Sequence, residues 1–112
     1  MTNTVIQIDD SEELSGTFTP TGLFNGGLVT VVSINQTTWT AIPASALANR
    51  NAINIQNYSG LEIKINYSSG IVGYVGMAIP DRGERQYAIT DAIVLYAKSA
   101  TSTVSINVEE LS

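Results

Sequence analysis

Apolar residues in this chain recur at every second position in short runs, and that alternation limits the possible folds more than any other feature. Successive side chains of a β-strand point to opposite faces, so a period of two buries one face and leaves the other in solvent. The clearest run is Leu61, Ile63, Ile65 and Tyr67, with Glu62, Lys64 and Asn66 between them. Turn-forming residues bracket it at 57–60 (NYSG) and 68–70 (SSG). Residues 28–34 (LVTVVSI) are rich in β-branched side chains, which suit a pleated, half-buried surface. Ile53 and Ile55 continue the pattern, as do residues 86–90, 93–98 and 104–108. Residues 71–79 (IVGYVGMAI) form an apolar run interrupted by Gly73 and Gly76, and glycines inside a strand mark bulges or close backbone approach.

With a short start at Ile6 and Ile8, this makes about eight strands spaced by turn signals. The expected fold is all-β: an antiparallel β-sandwich, jelly-roll-like or a related small barrel, with long connections near residues 35–50 and 78–86. A single helical signal spans residues 43–49, where Pro43 suits a first helical position and Asn49 an end cap, and it predicts one short turn.

A chain of 112 residues has room for one core. Residues 27–112 are assigned to a single β-sandwich domain and residues 1–26 to an N-terminal arm or a first hairpin. The first segment carries an acidic cluster, Asp9, Asp10, Glu12 and Glu13, isolated apolar residues that include Ile6, Ile8, Phe18 and Phe24, and the breakers Gly16, Pro20, Gly22 and Gly26. As an arm it would dock on a neighbour, since an exposed strand edge binds another chain through unpaired backbone groups.

Only 13% of residues are charged, about half the usual share, so Ser, Thr, Asn and Gln must cover the surface. Such a surface costs little to desolvate against a partner. The net charge is −5, and the five basic residues, Arg50, Lys64, Arg82, Arg85 and Lys98, are scattered except for the close pair Arg82 and Arg85. Phosphate backbones require clustered Lys and Arg, so no nucleic-acid partner is expected. No apolar run approaches the eighteen or so residues of a membrane helix, and no charged-then-apolar leader is present, so neither a membrane partner nor a signal peptide is expected.

Histidine and cysteine are both absent, which removes the usual base for a serine nucleophile, every thiolate and most transition-metal sites. A carboxylate pair is the remaining catalytic possibility. Of the candidates Glu62, Asp81, Glu84, Asp91, Glu109 and Glu110, the second and third read as solvated turn chemistry and the last two as a frayed terminus. No catalytic residue, cofactor or metal is assigned. The acidic cluster lacks the spacing and glycine of a calcium loop and reads as a solvated turn.

Two residues stand out as structural clamps or interface groups. Trp39, the sole tryptophan, is either a loop residue folded over the end of the core or an aromatic platform for a sugar or a partner. Arg50 either ties loop carbonyls together through its several donors or reaches a carboxylate on an adjacent subunit. Tyr58, Tyr67, Tyr74, Tyr87 and Tyr96 suit strands and carbohydrate grooves alike.

Residues 38–57 (TWTAIPASALANRNAINIQN) join a Trp-anchored turn to an Arg and a buried strand. They are followed by Leu95-Tyr96-Ala97 and by an alternating strand, Val104 to Glu109. Over residues 37–112 this pattern resembles a small β-domain of tailed-bacteriophage structural proteins. The resemblance implies a capsid decoration (cement) protein, a homotrimer whose partner is the phage major capsid protein and whose place is the virion surface after synthesis in the host cytoplasm. Ile6, Ile8, Phe18 and Phe24 would then anchor the arm, with Asp9, Asp10, Glu12 and Glu13 meeting basic groups on the shell. A carbohydrate-binding or host-attachment module of a head fibre or tail is the alternative, and a tail or neck connector domain a further one.

Overall fold

The computed structural model describes residues 25–112. The arm residues Ile6, Ile8, Asp9, Asp10, Glu12, Glu13, Phe18 and Phe24 lie outside the described residues, as does most of the 1–26 segment. The described residues form eight strands and no helix: β1 (Gly27–Ile34), β2 (Thr40–Ala41), β3 (Ala52–Asn57), β4 (Ile63–Asn66), β5 (Met77–Ile79), β6 (Gly83–Tyr87), β7 (Tyr96–Ser99) and β8 (Val104–Leu111).

They make two antiparallel sheets of four, in the orders β1-β8-β3-β6 and β2-β7-β4-β5. Each of the first four strands pairs with one of the last four in reverse order: β1 with β8, β2 with β7, β3 with β6 and β4 with β5. The chain is therefore one long antiparallel hairpin with its tip at β4 and β5. Rolling that hairpin brings β8 beside β3 and β7 beside β4. The result is the β-sandwich expected from the alternation, with the strand order of an eight-stranded jelly roll.

Alternation places the core. Val32, Ile34, Ile53, Ile55, Ile106 and Val108 point inward from the first sheet and meet Ile63, Ile65, Ile79 and Ala97 from the second, with Ile42 and Leu95 added by the connections. The isoleucines dominate because a β-branched side chain fills the space between two pleated faces in one preferred rotamer. Burying each stabilises the fold by about 1.5–3 kcal/mol. The one amide in this layer, Asn57, is fully buried and closes one end of the sandwich. Its Nδ2 donates to the carbonyls of Leu61, Ile79 and Pro80 (2.8, 3.0 and 3.2 Å), and its Oδ1 accepts from Ser59.

Three expectations need correction. The long connection expected near 78–86 is only the tight turn of residues 80–82, because β6 already begins at Gly83. Residues 43–49 make bends and, as expected, one short turn at 48–49. Their amides are claimed by carboxylates from elsewhere: Leu47 N–H donates to Glu110 and Asn49 N–H to Asp91, while Asn49 takes φ 60°. Residues 71–79 supply only the short β5, because Gly73 turns the chain at φ 86° and Gly76 lies so close to the Ile65 carbonyl and the Trp39 ring that no side chain fits there. Glu110 is not in a frayed terminus, because β8 continues to Leu111 with a partner on each side and turns that carboxylate inward.

Candidate interaction surface

The two residues singled out as clamps anchor different loops. Arg50 ends the turn before β3 and is 1% exposed. Its guanidinium donates to Glu110 Oε2 at 2.9 Å and to the carbonyls of Thr90 and Ile93, at 2.8 and 2.5 Å. The same Glu110 oxygen accepts the Leu47 amide at 2.9 Å. The carboxylate facing Arg50 therefore belongs to the same chain, and the pair ties residues 47–50 and 90–93 to the central strand β8.

Trp39 precedes β2 and is 6% exposed, with Nε1–H donating to the Ile71 carbonyl at 3.0 Å. It helps to hold residues 71–76 as a strap across the outer side of the second sheet. Lys64 on β4 and Lys98 on β7 stand directly opposite each other in register, an arrangement that repels. The strap relieves it by bringing carbonyl oxygens. Lys64 Nζ donates to the Tyr74 carbonyl and Lys98 Nζ to the Gly73 carbonyl. Aromatic faces add to this, Tyr74 at 4.6 Å from Lys64 and Trp39 at 5.6 Å from Lys98. The Tyr74 hydroxyl donates to Glu62, and burial, that hydrogen bond and the carboxylate charge, in that order, push its pKa well above the ordinary 10.

The surface best suited to a partner is the outer side of the first sheet. Its side chains follow from the register. Val31, Asn107, Gln56 and Glu84 form one row across the four strands, and Val29, Glu109, Asn54 and Gln86 form the next. Asn107 Nδ2 donates to Gln56 Oε1 at 3.0 Å, and both Gln56 and Asn54 donate to the Glu84 carboxylate. Two shallow hollows open here, of about 410 and 190 Å3, the larger one walled by Asn54, Gln86, Tyr87 and Glu109. Asn54 Oδ1 is buried and accepts no hydrogen bond from the described residues. Along one border Val29 and Val31 are 63% and 67% exposed. Such a face offers many donors and acceptors beside an apolar margin, the composition of a polar protein interface.

Nothing in this arrangement pairs a nucleophile with a base, and no group of three His, Cys, Asp or Glu is placed to hold a metal ion among the described residues. Sequence reasoning missed Glu110, Lys98 and the amide face. The face had a readable signal, since Asn54 and Gln56, then Ser105, Asn107 and Glu109, occupy the non-core positions of two adjacent strands. Glu110 had a weaker one, in that it shares parity with Ile106 and Val108. Comparison of the chain with protein-family models, with curated proteins and with solved structures finds no match.

Proposed function

We propose that this chain is a structural protein of a virus particle, a phage capsid decoration (cement) protein that binds the outside of the assembled head and reinforces contacts between major capsid subunits. The observation that carries this reading is the outer side of the first sheet: a broad field of amides and carboxylates bordered by exposed valines, made without any reactive grouping. The phage-type pattern of residues 37–112 and the low charge density of the chain support it.

Cementing needs many modest contacts formed together. Three linked copies raise the effective concentration of each binding element, so weak individual contacts hold firmly. Light scattering during gel filtration should give about 36 kDa, three times the 11.9 kDa chain. The purified protein should then sediment with expanded heads of its cognate capsid protein. Loss of co-sedimentation at every protein concentration tried would refute the reading.

A carbohydrate-binding module is the second reading, supported by the larger hollow with its Glu109 carboxylate and Asn54 and Gln86 amides. It would have to work without Trp39 as a platform, since that ring is buried. A signal on a glycan array that disappears in Glu109→Ala would favour it over the cement.

A further inference from the structure

Among the described residues, β1 is open along one edge and on parts of both faces, and it borders the first sheet with β8 as its only partner. Gly26 and Ser112 exchange hydrogen bonds in both directions, which fixes the phase of the ladder. Bonded and non-bonded pairs alternate in an antiparallel ladder, so Leu28, Thr30, Val32 and Ile34 bond to β8. The amides and carbonyls of Gly27, Val29, Val31 and Ser33 are thereby turned to the free edge, where no described residue bonds to them. On the outer face, Val29 and Val31 are exposed. On the core-facing side Leu28 is still 48% exposed. An edge of this kind attracts a strand that is apolar on both faces.

We propose that the free edge of β1 receives residues 4–8 (TVIQI) of a neighbouring copy as a fifth strand of the first sheet. That segment has the required pattern, with Ile6 and Ile8 on one side to cover Leu28 and Val5 on the other beside Val29 and Val31. Residues 9–26 separate it from β1, a span that reaches up to about 60 Å when extended. A structureless hairpin loop of that length is uncommon, which disfavours pairing with the chain's own edge. Each copy then gives one strand and receives one, a heterologous contact that closes a ring when the rotation is three-fold. The inference deepens the cement reading and rests on its trimer, while its test concerns the isolated protein.

The chain has no cysteine, so engineered pairs report cleanly. Two full-length variants, Val5→Cys/Val29→Cys and Val5→Cys/Val31→Cys, cover the two adjacent registers, in which opposed residues lie within disulfide reach. Mild oxidation of the dilute protein should give covalent dimers and trimers on denaturing gels. Crosslinked monomer alone would mean that the segment pairs with its own edge, and would overturn the proposal. As a second variant, Gln7→Pro removes a donor that faces β1 in either register, since Gln7 then opposes Gly27 or Val29. It should lower the native mass from about 36 to about 12 kDa and speed hydrogen exchange at the Val29 and Val31 amides at least tenfold. A trimer with neither crosslinks nor protected Val29 and Val31 amides would overturn the edge pairing and leave the cement reading standing. Failure to bind heads by a crosslinked trimer would do the reverse.

Discussion

Replacing Arg50 by Met would leave the Glu110 carboxylate buried with the Leu47 amide as its only donor among the described residues, and would free the carbonyls of Thr90 and Ile93. Removing one partner of a buried ion pair costs about 3–5 kcal/mol, because the remaining charge keeps its desolvation penalty. Replacing both by apolar residues of similar size removes that penalty, so Arg50→Met/Glu110→Leu should regain most of the loss. Urea titration of the wild type, the single variant and the double variant checks both statements. If the double variant proved no more stable than the single, the pair would owe its value to the loop carbonyls alone. At this scale the sequence was half legible. Arg50 stood out because a lone cation between a turn and a strand has carbonyls nearby to bind, whereas Glu110 was hidden by Glu109, its neighbour in an acidic pair. Only the inward parity of β8 separates the two.

The second sheet shows how an element can depend on a loop. Lys64 and Lys98 oppose each other on β4 and β7, and the strap of residues 71–76 makes that tolerable by placing two carbonyls and two rings over them. Tyr74 locks the strap to Glu62. Because its pKa is raised in the folded protein, Tyr74 keeps its proton above pH 10 while an unfolded chain loses it. The unfolded state then binds fewer protons, so this contribution is whole below about pH 10 and declines as pH rises above it. Tyrosinate absorbance should show a late phase to which Tyr87, its pKa also raised by burial, contributes; Tyr74→Phe should shrink that phase, and the alkaline fall in stability should flatten in the same variant. The alternation of β4 made it the most legible element of the chain. β5 was obscured because Gly73 and Gly76 divert an otherwise apolar run, and β2, with two residues, contains less than one full period of any pattern.

In the whole molecule, stability is shared between the sheets through one layer of isoleucines. Ile106 lies in the middle of that layer on β8 and is 2% exposed. Ile106→Ala should cost about 2–5 kcal/mol. Although Trp39 lies beside the other sheet, its fluorescence and the far-ultraviolet dichroism should shift to lower urea together, as in a single cooperative transition. Separate midpoints would show that the sheets melt independently. The all-β class was legible from short alternating runs and turns, but the strand order was not, because it depends on which distant runs meet. Nothing local to residues 104–111 tells that this segment lies between β1 and β3.

That placement has a consequence for synthesis. Of the eight described strands β8 leaves the ribosome after the other seven, yet it is central to its sheet. Until it emerges, β1 and β3 have no common partner, and Val32, Ile34, Ile53 and Ile55 remain without the layer they pack against. The domain therefore cannot be built strand by strand as translation proceeds, and must close in one late step. During that interval the nascent chain is a candidate client for chaperones that shield exposed β-forming segments.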